Sequence, residues 1–227
     1  MPLSRRQFNR ALIAGLASAA WPLAHAAKTA PAKTPAAPGI VLEEGRNWSA
    51  IVPAQPGDSP GKIEVLEFFS YGCSHCNDFN PLVSRWAAKL PKDVVFHRVP
   101  ITFGRAAWSN LSRLYYSLEA SGDLARLDQA VFDAVHIQHK NLFTEKSAMD
   151  WLASQKVNLG KFSDIFHSFA VETRLARAEQ LAKIYKVNSV PQLTVGGRYA
   201  VLGQSAKTQP ELLAIADALI VKARNRG

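Results

Sequence analysis

The sequence predicts an α/β domain in which a β-α-β unit and a β-β-α unit are separated by a long helical insertion. Three observations carry that reading: an apolar strand, helix and strand between residues 62 and 99, a helical period sustained from about 104 to 188, and a hairpin followed by a helix between 192 and 221. The 227 residues are 48% hydrophobic and 20% charged, enough apolar material for a real core and unlike disordered or collagen-like chains. No uninterrupted apolar run reaches the roughly 18 residues of a confident membrane span.

Residues 1–26, MPLSRRQFNRALIAGLASAAWPLAHA, read as an export signal: a basic start, a short apolar stretch from Ala11 to about Ala20, a break at Pro22, and Ala24-His25-Ala26 as a small-x-small cleavage site. Ser4-Arg5-Arg6-Gln7-Phe8 resembles the twin-arginine export motif. Residues 27–39 hold three prolines and no large apolar side chain, which predicts an extended linker, so the folded part is expected over 40–227.

Within it, Lys62 to Phe69 is β-prone and nearly apolar in its second half, as expected of a central strand covered on both faces. The turn Ser70-Tyr71-Gly72 leads into a helix with apolar residues at Phe79, Leu82, Val83, Trp86 and Leu90, kinked or restarted at Pro81. Val94 to Val99 is a second strand, and the strand, helix, strand order implies a right-handed parallel crossover. The insertion then carries stripes at Trp108, Leu111, Tyr115 and Leu118, ended by Gly122, and at Leu124, Leu127, Val131 and Val135. Shorter helices over 145–155 and 159–168 follow, then a longer one through Val171, Leu175, Ala178, Ala182 and Tyr185. Gln192 to Val195 and Arg198 to Leu202 flank Gly196-Gly197, a two-residue hairpin turn. Thr208-Gln209-Pro210-Glu211 reads as a capping box opening a last helix with Leu212, Ile215, Leu219 and Ile220 or Val221 inward.

The formal charge of +9 is no nucleic-acid footprint. Five of the basic residues, Arg5, Arg6, Arg10, Lys28 and Lys33, precede Glu43, the first acid, and no basic run with interleaved aromatics follows. Two cysteines are too few for a disulfide scaffold or a four-thiolate metal site. They form Cys73-Ser74-His75-Cys76 at the start of a predicted helix, where free backbone N–H groups favour an anion. Cys73 is therefore expected to have a lowered pKa, with His75 adding positive charge, and Cys76, one turn in, suits a shielded resolving thiol. Asn77 stands where a haem-attachment motif needs histidine. A copper or zinc site built on the two cysteines and one further histidine stays open as an alternative, as does an inert disulfide.

Glu67 lies six residues before Cys73, so on a straight strand it faces the same side of the sheet as the cysteines, and a half-buried carboxylate there could exchange the proton of Cys76. Val190-Pro191 opens the strand Gln192 to Val195, a tolerated place for proline. His97, His136, His139 and His167 show no ligand spacing to a cysteine or carboxylate and are read as structural.

VLEFFSYGCSHC, the proline five residues after the second cysteine, the helical insertion and YKVNSVPQLTVGGRYAV together resemble the DsbA family of exported thiol:disulfide oxidoreductases with the thioredoxin fold. The resemblance implies Cys73 as attacking and Cys76 as resolving thiol, Glu67 as the family's buried acid, and Val190-Pro191 as its cis-proline loop at the substrate site. The family's usual intervening dipeptide is Pro-His; here Ser74 replaces the proline and tunes the loop, while His75 keeps the direction of the effect. It further implies a periplasmic monomer with no cofactor or metal beyond a redox-active Cys73–Cys76 disulfide, acting on reduced secreted polypeptides and reoxidised by a DsbB-like membrane oxidase. Reductases and isomerases of the class add an N-terminal dimerisation domain, for which about 22 residues (40–61) before the first strand are too few.

Overall fold

The computed structural model describes residues 40–225; the predicted export signal and linker lie outside them. The elements are β1 (Trp48–Ala50), β2 (Ile63–Phe69), α1 (Ser74–Ala87), β3 (Val94–Pro100), α2 (Ala106–Ser121), α3 (Leu124–His136), α4 (Glu145–Ser154), α5 (Leu159–Phe166), α6 (Phe169–Ile184), β4 (Gln192–Val195), β5 (Tyr199–Val201) and α7 (Gln209–Arg224). They form a thioredoxin-like domain whose sheet has the order β1-β5-β4-β2-β3. β2 pairs in parallel with β3 and antiparallel with β4, so it is central, and every residue after Ile63 in it is buried. The five helices α2 to α6 form the insertion between β3 and β4.

Two cores meet at β2. Val65 packs with Phe79 and Val83 of α1 and with Ile215, Ala216 and Leu219 of α7. Leu66, Phe68 and Phe69 join a larger cluster reaching through the insertion to Leu111, Phe132, Phe162 and Tyr185, and Cys76 belongs to this second cluster. Full burial of each such aliphatic or aromatic side chain contributes about 1.5–3 kcal/mol. Local signals fix the ends of the insertion's helices. Gly122 takes φ +82° at the end of α2, Asn158 caps α5 at Lys161 N (3.2 Å), and Ser168 caps α6 at Val171 N (3.2 Å).

Several expectations change. β1 was not anticipated; it is three residues long and pairs antiparallel with β5, which spans only Tyr199–Val201. Of the two expectations at Pro81 the restart is excluded, because α1 runs through it as one element although the ring cannot donate to the carbonyl of Asn77. The capping box of α7 does not form: Thr208 makes no side-chain cap, and Glu211 accepts instead from Lys207 N at 2.6 Å. Ile220 is buried and Val221 exposed, which settles the last turn of α7. The hairpin turn is as predicted, Gly196 and Gly197 both taking positive φ (60° and 63°).

Candidate active site at the Cys73–Cys76 turn

β2 ends at Phe69, and the chain turns through Ser70, whose hydroxyl accepts from Gly72 N at 3.1 Å. Gly72 permits a close approach: a Cβ there would lie 2.5 Å from Trp108 Nε1. Cys73 is the N-cap residue of α1, in extended backbone conformation, so Ser74, His75 and Cys76 occupy its first turn. Ser74 and His75 are exposed, Cys73 is partly open and Cys76 is fully buried. The insertion holds this turn at two points. His136, the last residue of α3, donates from Nε2 to the Tyr71 carbonyl (2.8 Å), and the Tyr71 hydroxyl donates to Asp128 of the same helix (2.7 Å). From the other side, the Gln209 amide donates to the His75 carbonyl at 3.1 Å.

The two thiols are electrostatically unlike. Cys73 is lowered from 9.0 to about 6, first by a hydrogen bond from Cys76 and then, against the opposing effect of burial, by the backbone N–H groups of Cys76 and His75. The charge of the exposed His75 contributes least, so the helix start and the neighbouring thiol outweigh the histidine expected to act beside them. Cys76 is pushed far up, chiefly by burial, then by Cys73 and by the negative charge of Glu67. As a thiol, Cys73 donates to the Val190 carbonyl at 3.5 Å. Val190–Pro191 is a cis peptide, and Pro191 lines a groove with Phe79, Ser189, Gln192, Leu193 and Leu212.

Glu67 is fully buried rather than half-buried. In the parallel register it stands opposite Arg98 of β3, whose Nε donates to Oε2 at 2.7 Å. Arg98 Nη1 donates to both oxygens of Asp128 at 2.9 Å, and its guanidinium lies 3.8 Å from the Phe69 ring centroid. Asn80 adds a bond to Asp128 at 3.0 Å. Burial raises the Glu67 carboxyl, and Arg98 offsets only part of that.

A profile of the DSBA-like thioredoxin domain matches residues 64–212. The chain belongs to the DsbA family. It is 41% identical over 200 residues to the thiol:disulfide interchange protein DsbA of Bordetella parapertussis, covering 88% of this chain and 95% of that one. The DsbA of Pseudomonas aeruginosa is 39% identical over 180 residues, 79% and 85% of the two chains. Its crystal structure superposes with a TM-score of 0.77, covering 80% and 94% at 38% identity. The oxidoreductase DsbA from Xylella fastidiosa gives 0.74 at 29% identity, covering 81% of this chain and 98% of that one.

Against that DsbA framework, the structure brings Cys73, Cys76, His75, Ser74 and Val190 together past the end of β2, beside the start of β4, and sets Glu67 beneath, where its charge is felt at Cys76. Sequence reasoning passed over Arg98, Asp128 and Tyr71. Arg98 was not fixed by the strand bounds, since strands read from Lys62 and Val94 set Glu67 opposite Val99, and it is the observed register, Ile63 with Val94, that brings Arg98 there. Asp128 and Tyr71 gave no signal, because their meeting depends on how α3 packs. Among the described residues, no group of three or more His, Cys, Asp or Glu side chains is arranged to hold a metal ion.

Proposed function

We propose that this thiol:disulfide oxidoreductase of the DsbA family donates a Cys73–Cys76 disulfide to reduced secreted polypeptides in the periplasm. The observation that carries the reading is the asymmetry of the pair, an open Cys73 lowered to about 6 beside a buried Cys76 that stays protonated. Attack by a substrate thiolate on the Cys73 sulfur breaks the internal disulfide, and Cys76 leaves as a thiolate that takes up a proton. A second substrate thiolate then attacks the substrate sulfur of the mixed disulfide and expels Cys73 as its favoured thiolate. Two electrons pass from substrate to protein, and the disulfide passes the other way. The low pKa of Cys73 supports this direction, since a stabilised leaving thiolate makes the disulfide the better oxidant.

Glu67 serves in this reading as the proton partner of Cys76, and Ser74 and His75 tune the loop. The Val190 carbonyl and Pro191 border the substrate site, where an extended cysteine peptide would lie against Cys73. Reoxidation falls to a DsbB-like membrane oxidase, and no further cofactor takes part. The deciding experiment equilibrates the purified protein against a glutathione redox series and follows oxidation of a reduced polypeptide. The expected result is a pair reduced by modest glutathione and a polypeptide that gains disulfides. A pair that stays oxidised in strongly reducing buffer while the protein reduces insulin would assign the reductase role instead.

A further inference from the structure

The charge cluster under the redox pair is unbalanced. One cation, Arg98, faces two carboxylates, Glu67 from β2 and Asp128 from α3. Asp128 is well supplied with donors, accepting from Arg98 Nη1 with both oxygens and from Tyr71 and Asn80. Glu67 receives a single bond, at Oε2; its Oε1 and Arg98 Nη2 are buried with no partner among the described residues. A guanidinium facing one carboxylate alone engages both oxygens in a fork. Here Asp128 holds Nη1 with both of its oxygens and so sets the guanidinium's orientation, Nη2 stays unpaired, and one Glu67 oxygen is left with no donor aimed at it. A proton on that oxygen leaves the bond from Arg98 to Oε2 intact.

We propose that Asp128, contributed by the helical insertion, is a positioning residue for proton transfer at Cys76: by holding Arg98 it keeps Glu67 Oε1 open to receive and return the Cys76 proton. This rests on the role given to Glu67 above. When Cys76 resolves a mixed disulfide on Cys73, its S–H proton passes to Oε1, its sulfur bonds to Cys73, and the other thiol leaves as a thiolate. The groups around the cluster are Arg98 of β3, Asp128 and Gln129 of α3, Tyr71 of the turn, Cys76 and Asn80 of α1 and Tyr115 of α2, while the β4 residue opposite Glu67 is the apolar Leu193. Of these, only Asp128 both adds negative charge and competes for Arg98. Asp128 also has 17% of its side chain exposed against 0% for Glu67, so the insertion gives the buried acid its link toward solvent.

The test uses the full protein and two readouts. Infrared difference spectroscopy follows the C=O stretch of a protonated buried carboxyl, assigned to Glu67 by its loss in Glu67→Gln. Single-turnover kinetics follow Cys76 as it releases glutathione from a Cys73 mixed disulfide across pH. Asp128→Asn removes the charge and frees Arg98, and both effects favour ionised Glu67. The band and the rising kinetic limb should therefore move down by about one pH unit, tenfold in the proton equilibrium, while the Cys73 alkylation midpoint stays in place. Tyr71→Phe takes a donor from Asp128 and should move both readouts upward, which keeps the idea testable if Asp128→Asn fails to fold. Unmoved readouts, or a Cys73 midpoint that moves as far as the Glu67 band, overturn the inference. A limb that survives Glu67→Gln overturns the underlying reading of Glu67, whereas a limb lost there but unmoved by Asp128→Asn overturns only the role of Asp128.

Discussion

Reducing the Cys73–Cys76 pair should make the stability of the protein depend on pH in a way the oxidised form does not share. In the reduced folded state Cys73 titrates at about 6, against an ordinary thiol value of 9.0. A lowered pKa contributes stability that is fully present above the unfolded value and lost as pH falls through the folded one. The contribution is absent near pH 5, about 1.4 kcal/mol at pH 7 and about 3 kcal/mol at pH 8.5 before screening. Cys73 keeps a side open to solvent, which trims these figures to about 1 and about 2 kcal/mol. Cys76 acts oppositely, because its raised pKa withholds ionisation that the unfolded chain enjoys, and above about pH 9 the reduced form loses stability again. Closing the four-residue loop costs the unfolded chain about 2 kcal/mol of entropy, a term that does not vary with pH and drops out of the comparison. Urea melts of both forms at pH 5, 7 and 8.5 check this, the expected result being a reduced form that gains on the oxidised one by about 1 kcal/mol at pH 7 and more at 8.5. A gap that stays flat over that range would show that Cys73 titrates alike in folded and unfolded chains and would remove the basis for an oxidant.

Cys76→Ser should leave a small-molecule mixed disulfide on Cys73 long-lived yet able to pass to a reduced peptide, a transfer that mass spectrometry follows. His75→Ala should change the glutathione equilibrium by no more than roughly threefold, because the imidazole is exposed and contributes least to the Cys73 thiolate. Arg98→Ala leaves the buried Glu67 and the partly exposed Asp128 without their cation and should lower unfolding free energy by about 3 kcal/mol in chemical denaturation. Gly197→Ala would set a Cβ 2.0 Å from the Gln55 carbonyl oxygen at a φ of +63°, and should cost about 2 kcal/mol or more, read as a lowered melting temperature.

The fold was legible wherever a segment's own pattern decided its fate. The apolar run through Phe69 could only be a doubly covered strand, and Gly196-Gly197 supplied the positive φ of a tight hairpin. Trp48–Ala50 carries no such pattern, since three residues are too few for a period and their pairing depends on β5 being there to receive them. Glu211 shows the same limit at a helix end: the motif was present, but the chain before Thr208 brought Lys207 N within reach first. The site divides along this line. Cys73 and Cys76 differ by three positions in sequence, and their opposed chemistry needs the helix to place one thiol at its open start and the other inside the insertion's core. The helix start could be read locally; the core that buries Cys76 is assembled from Phe69, Leu111 and Phe132, residues up to 56 positions away, and no local pattern records that meeting. For the same reason a charge placed on the insertion, such as Asp128, can govern thiol chemistry at the start of α1, because Glu67 of the sheet and Asp128 of the insertion share one cation and a buried carboxylate without its cation is costly wherever it sits.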